Sequence, residues 1–278
     1  MMGTFPIRRK AMVWLAAIIV VVNGFFPAVW ILFTSLKTEG ELLRFPITYI
    51  PTDPTLQNYY QAFTEQPLVR FIFNSLVVAG GSTLLTVTIA ALAAYALTRL
   101  RLPGRNAIMA CLLAVSMFPL ISLMVPLFKV MRDLGLLNTY FALILPYTVL
   151  SLPVCTLVMA SFFQDISPDL EAAAMVDGCT RVGALFKIVL PLAAPGVFTA
   201  AILAFVNAWD EFLLALTFMS RASMRTLSVG ITLYQGEFAF PWPLISAALI
   251  IAIVPICILI ALFQERVVGG LTSGGLKG

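Results

Sequence analysis

The sequence predicts an all-α integral membrane protein. It crosses the bilayer six times, with both termini in the cytoplasm and a long cytoplasmic loop between the fourth and fifth spans. Three observations carry that expectation. Of 278 residues, 61% are apolar and only 11% charged, against about 25% charged in a soluble domain. Six apolar stretches reach the roughly 20 residues a helix needs to cross the hydrocarbon core. The Lys and Arg residues gather between those stretches rather than on amphipathic faces, as the positive-inside rule describes. The whole chain, 1–278, reads as one transmembrane domain.

The predicted spans run over about 11–36, 71–97, 107–130, 140–163, 195–218 and 244–263. The first follows Arg8-Arg9-Lys10, as a signal peptide would. Its apolar run is too long and lacks a suitable small-residue cleavage site, so it reads as an uncleaved span. With the N-terminus inside, the cytoplasmic segments hold Arg8, Arg9, Lys10, Arg99, Arg101, Arg105, Arg181, Lys187, Arg266 and Lys277. The outer segments hold Lys37, Arg44, Arg70, Lys129, Arg132, Arg221 and Arg225. The bias is sharpest at the tail and first inner loop. Pro27, Pro119, Pro126, Pro146, Pro153 and Pro255 fall within predicted spans. Each removes a backbone donor, which suits either packing geometry or a bundle that bends around a path. Tyr234, Phe238, Phe240 and Trp242 precede the sixth span and read as an interfacial aromatic belt.

Several functions are disfavoured by composition. There is no histidine, hence neither the commonest metal ligand nor the commonest general base. No metal site and no catalytic residue are expected. The pattern GxxxxGK[ST] is missing from the sequence, so ATP binding by this chain alone is not expected. Cys111, Cys155, Cys179 and Cys257 are too scattered for a CxxC pair, and three of them fall inside apolar runs, where a cysteine acts as a small hydrophobe. The net charge of +4 reflects topology rather than nucleic-acid binding.

The loop 164–194, QDISPDLEAAAMVDGCTRVGALFKIVLPLAA, is too polar to span. Ser167 is a suitable N-cap, Pro168 fits the first helical position, and Asp169 and Glu171 suit a helix N-terminus. Gly178 can end that helix in a left-handed conformation. A second segment, Ala184 to Leu190, stops at Pro191. Two short helices joined at Asp177-Gly178 would lie against the cytoplasmic face. They could be an interfacial connector or a tip that docks into a partner.

That stretch resembles the loop of membrane subunits of binding-protein-dependent ABC importers: EAA, three residues, Gly, nine residues, Ile, any residue, Leu-Pro. Ala173, Ala174, Gly178, Ile188, Leu190 and Pro191 match in register. The glutamate position holds Ala172, and Glu171 stands one residue earlier. The tail VVGGLTSGGLKG, and LQNYYQAFTEQPLVRFIFNSLVVA with Asn58, Tyr59, Phe63, Asn74, Ser75 and Leu76, are similar to MalG-type subunits of carbohydrate importers. The resemblance implies that Glu171, Ala172, Ala173, Ala174, Met175, Asp177, Gly178, Ile188, Leu190 and Pro191 form a coupling element engaging an ATPase subunit. It implies further partners: a homologous second permease, two copies of an ATP-binding subunit that carry ATP and Mg, and an extracytoplasmic sugar-binding lipoprotein. A disaccharide such as trehalose would be the substrate.

The fifth span contains Asn207, Trp209, Asp210 and Glu211. Two acids in an apolar helix cost about 2.5 kcal/mol or more each near the bilayer centre. Counting from Pro195 at 1.5 Å per residue, Asp210 lies roughly 22 Å along the axis. Asn207, Asp210, Glu211 and Leu214 fall on one face. That face either lines a water-filled substrate path, with Trp209 stacking on a sugar, or forms a structural ion pair. In the resembling family the stretch commonly reads WNEF, so Asp210 stands where an asparagine is usual. Two rivals to the importer are a secondary transporter using Asp210 and Glu211 as ion sites, and a membrane enzyme acting on lipid. Transport that survives ATP depletion but collapses with a protonophore would favour the first. The second would need a catalytic cluster that this sequence lacks.

Overall fold

Apolar runs in lipid must satisfy their backbone groups internally, so they fold as helices. The computed structural model describes the backbone of residues 7–100, 102–234 and 240–274, with side chains over 12–100, 102–234 and 240–263. Expectations resting on Arg8, Arg9, Lys10, Arg101, Phe238, Arg266 and Lys277, and on the position of both termini, fall outside the described side chains. Among the described residues, four helices are long and apolar enough to span: Met12–Ser35, Leu68–Arg99, Phe141–Gln164 and Trp242–Phe263. Two bent pairs bring the total to as many as six. The chain is a multi-pass, all-α membrane protein.

By contacts the chain divides into two units, 1–68 with 231–253 and 69–230 with 254–278. In the first, helix α1 (Ile7–Ser35) leads into short helices α2 (Glu39–Leu42) and α3 (Gln57–Thr64). Their connecting loop is held by buried polar groups. Lys37 donates to the Thr48 carbonyl and lies 5.8 Å from the Trp30 ring. Asn58 Nδ2 donates to the carbonyls of Ser35 and Lys37, each at 2.8 Å. Glu41 accepts from Thr48 Oγ1 at 2.8 Å and from the Thr52 N–H at 2.9 Å.

The second unit contains α4 (Leu68–Arg99), α5 (Arg105–Ser116), α6 (Leu120–Asp133), α7 (Phe141–Gln164), α8 (Pro168–Val176) and α9 (Arg181–Ala184). A π-helical turn (Leu185–Val189) joins α9 to α10 (Leu190–Leu192). There follow α11 (Ala194–Asp210), α12 (Leu213–Phe218) and α13 (Leu227–Thr232). Helix α13 ends beyond the division, and the last helix, α14 (Trp242–Gly274), also crosses it. Helix α11 packs along α7, and α5 also rests on α7. Their core mixes small and large residues: Ala90, Ala91 and Ala94 of α4, Met159, Ala160 and Phe163 of α7, and Ala200 and Ala204 of α11. Small residues let membrane helices approach closely. At Gly196 a Cβ would lie 2.4 Å from Cγ of Phe162, and at Gly230 one would lie 2.1 Å from Cδ2 of Phe71. Both glycines are therefore fixed by packing. The four cysteines are free thiols, Cys155 buried and Cys111 and Cys257 exposed.

Two predicted spans are corrected. The third, expected as one helix over 107–130, is α5 and α6 bent by 93°. Pro119 sits at that break in extended conformation, because it lacks an N–H and disfavours helix in the residue before it. Pro27, Pro126, Pro146, Pro153 and Pro255 instead lie within helices. The fifth span, expected over 195–218, ends as α11 at Asp210, and Glu211 is extended. Its other end bends by 84° where the 181–192 segment meets α11.

Candidate functional site

Two regions carry the predicted site residues. The first is the hairpin 168–192. Ser167 Oγ accepts from the Asp169 N–H at 3.3 Å, and Pro168 opens α8. Gly178 has φ +93°, and it closes the helix by donating to Met175 O at 3.2 Å while Cys179 donates to Ala174 O at 2.9 Å. That pair of bonds is a Schellman ending. Thr180 then caps α9 by accepting from the Gly183 N–H at 3.0 Å.

The predicted second segment begins earlier and ends later than Ala184 to Leu190, running from Arg181 to Leu192. Ala172, Ala173, Met175, Val176, Asp177, Gly178 and Pro191 are exposed, whereas Ala174 is buried and Ile188 and Leu190 are half-buried. Glu171 faces inward. Its carboxylate pairs with Nε of Arg99, the last residue of α4, and Arg99 Nη2 donates to Ile166 O at 2.8 Å. The two side chains are 5% and 11% exposed. Tyr95, one turn back on α4, also faces Glu171.

The second region is a cavity of about 590 Å³. Its wall includes Val115, Ser116, Phe118 and Leu120 beside the bend of the third span. Across from them stand Tyr147 and Ser151 of α7 and Asn207, Ala208 and Glu211 at the end of α11. Irregular backbone at membrane depth is tolerated where it lines such a space.

The expected face of Asn207, Asp210, Glu211 and Leu214 is not formed, because the helix stops between Asp210 and Glu211. Asn207 and Glu211 line the cavity; Trp209 and Asp210 do not. Trp209 is buried and stacks on Phe205 at 5.6 Å, and Asp210 is exposed elsewhere. Glu211 turns back to cap α12. Its carboxylate accepts from the N–H groups of Leu214 (2.9 Å) and Ala215 (3.2 Å) and from Tyr147 OH at 2.5 Å. Its carbonyl accepts from Ser228 Oγ at 2.9 Å. Among the described residues neither Asp210 nor Glu211 makes an ion pair.

Sequence reasoning missed Arg99 as more than a topological charge, and missed Tyr147 altogether. A phenol within an apolar helix needs a partner for its O–H, and that was the available signal for Tyr147. It also missed how the 220s loop is tied down. Asn74, wholly buried, donates to the carbonyls of Ser223 (3.0 Å) and Arg225 (2.8 Å) and accepts from Tyr140 OH. Ser75 accepts from the Leu227 N–H at 2.8 Å.

Comparison with known proteins gives these likenesses a frame. Residues 86–272 match the profile of the family described as binding-protein-dependent transport system inner membrane component. The chain is 67% identical to the sulfoquinovosyl glycerol transport system permease protein SmoH of Agrobacterium fabrum, over 97% of this chain and 94% of that protein. It is 38% identical to the trehalose/maltose transport system permease protein MalG of Thermococcus litoralis, over 98% of each. A chain of a bacterial ABC transporter involved in the import of the acidic polysaccharide alginate shares the fold. The TM-score is 0.81 at 19% identity, covering 95% of this chain and 99% of that one.

Proposed function

From the premise that the chain belongs to the family of binding-protein-dependent transport inner membrane components, we propose how this permease component of an ABC-type carbohydrate importer works. The whole chain acts as one transmembrane domain, with both termini and the hairpin 168–192 in the cytoplasm. It holds no catalytic group of its own. Two ATP-binding subunits carry ATP and Mg, and a homologous second permease supplies the other half of the path. An extracytoplasmic sugar-binding protein delivers the substrate.

The observation that carries this reading is the hairpin. Its exposed tip, Ala172, Ala173, Met175, Val176, Asp177 and Gly178, offers a small, largely apolar knob that a cleft in the motor subunit can grip. Closure of the two ATPases on ATP pulls the knob and shifts the bundle toward an outward-open state. Hydrolysis returns it. The nucleotide shifts an equilibrium between states that both exist without it.

The cavity beside the bends of the third and fifth spans serves as this subunit's share of the path. Asn207, Ser116 and Ser151 present hydroxyl-binding groups there. Its substrate is a glycoside of the sulfoquinovosyl glycerol type, favoured over trehalose because the relative at 67% identity carries that name and the trehalose/maltose relative stands at 38%. Among the described residues the cavity's lining contains no Lys or Arg. This half therefore holds the hydroxyl-rich part, and the cation for a sulfonate comes from the sister permease. An ion-gradient mechanism through Asp210 and Glu211 is disfavoured, since the Glu211 carboxylate already serves backbone N–H groups and the Tyr147 hydroxyl.

The test is ATP-dependent uptake in proteoliposomes carrying the chain with its neighbouring subunits. Sulfoquinovosyl glycerol should stimulate ATP turnover and accumulate, and trehalose should do neither. Trehalose accumulation would reverse the substrate assignment. Uptake that ignores ATP and collapses with a protonophore would overturn the importer. Gly178→Pro should uncouple ATP turnover from uptake while leaving membrane insertion intact.

A further inference from the structure

Residue 171 is where the hairpin is tied to a span that is not its neighbour in sequence. The hairpin's exit leads by continuous backbone through α9 and α10 into α11, so any displacement of its tip reaches the fifth span covalently. Its entry follows α7 by continuous backbone over residues 165–167, and it carries a second tie that is not covalent. One guanidinium, that of Arg99 at the end of α4, donates to the Ile166 carbonyl just before α8 and pairs with the Glu171 carboxylate in the first turn of α8. The pair also suits both helix ends. Arg99 lies at the negative C-terminus of α4 and Glu171 at the positive N-terminus of α8. Both side chains are largely withdrawn from solvent, where a charge-assisted bond is stronger and screened less.

Resting on the importer reading above, we propose that Arg99 and Glu171 are positioning residues that make the second span a follower of the hairpin. Motor-driven displacement then moves α4 together with the covalently joined α7 and α11, rather than those two without it. Since α4 lends Ala90, Ala91, Ala94 and Tyr95 to the core shared with α7, the π-helical turn and α11, a coupled shift moves that packed layer as a unit. With the joint cut, α4 lags and the power stroke is spent without opening the path. The exposed residues of α8 keep their docking role, because Glu171 points away from the tip.

The experiment uses the full reconstituted complex and reads glycoside imported per ATP hydrolysed. Arg99→Ala and Glu171→Gln should each lower that ratio about fivefold, a coupling loss of ordinary size. The motor subunit should still co-purify in wild-type amount, and basal ATP hydrolysis should continue. Arg99→Lys, which keeps a cation at the C-terminus of α4, should recover most of the ratio. The proposal is overturned if Arg99→Ala and Glu171→Gln keep the wild-type ratio, if Arg99→Lys does not recover it, or if uptake falls only in step with loss of the motor subunit. A wild-type complex that binds no ATPase subunit would instead defeat the importer reading itself.

Discussion

The two inward-turned glutamates of the second unit, Glu171 and Glu211, solve one problem in opposite ways. Glu171 is buried and Glu211 half-buried at the cavity wall, and an uncompensated charge is costly at either place. Glu171 is compensated by a side-chain cation from a helix distant in sequence. Glu211 is compensated without a cation, locally by the N-terminal N–H groups of α12 and, from α7, by Tyr147 OH. A side-chain ion pair ties two separate helices, so that one can move with the other. A cap is built into the backbone and holds as long as the helix does. On the proposal above, the hairpin joint transmits motion, while the cavity knot is a fixed wall at the break in the fifth span.

The comparison predicts a clear order of stability losses. Glu211→Ala strands two backbone donors and a phenol, so the detergent-solubilised complex should lose about 3 kcal/mol. Glu171→Ala should cost less, about 2 kcal/mol, because the Arg99 guanidinium keeps its bond to the Ile166 carbonyl. Thermal unfolding of the two variants side by side checks the order, and a lower melting point for Glu171→Ala would break the contrast. Tyr147→Phe removes one donor from Glu211 and should cost about 1 kcal/mol. Combined with Glu211→Ala, its effect should be less than additive, since the two side chains share one bond.

Gly178→Ala should cost about 1 kcal/mol, because the left-handed conformation at φ +93° disfavours a Cβ even where there is open space around it. Its signature is faster amide exchange across α8, with the cavity wall unaffected. The smallest effect belongs to a third carboxylate, Glu41, outside the spans. The Thr52 N–H and the Thr48 hydroxyl hold its pKa below the ordinary glutamate range, against the opposing pull of burial. A lowered native pKa contributes stability that is complete above the ordinary value and is lost as pH falls through the lowered one. Acid should therefore loosen the 37–58 loop, and Glu41→Gln should abolish that pH dependence in local hydrogen exchange.

How much of this was legible beforehand differs residue by residue. The helix starting at Pro168, its serine cap and the left-handed Gly178 were all readable, because caps and endings depend on residues within a turn of one another. The importer class was readable from the register running from Ala173 to Pro191. The inward turn of Glu171 was not, because helix spacing says which residues share a face but not which face is buried. Asp210 and Glu211 were read as one polar helical face, yet the chain breaks between them. Glu211 can cap a new helix, and a cap competes with helix continuation. Trp209 looked like a sugar platform and is instead stacked on Phe205 within the bundle.

The sequence by itself determined that the chain lives in lipid as a set of apolar helices, where the hairpin lies, and which local signals start and stop it. Those follow from transfer free energies and short-range sterics, which act over a few residues. Only the tertiary structure decided that Arg99 meets Glu171, that Tyr147 meets Glu211, and that the third and fifth spans break beside one cavity. Each of those pairs residues distant in the chain, and the partner of a buried charge is selected by packing in three dimensions.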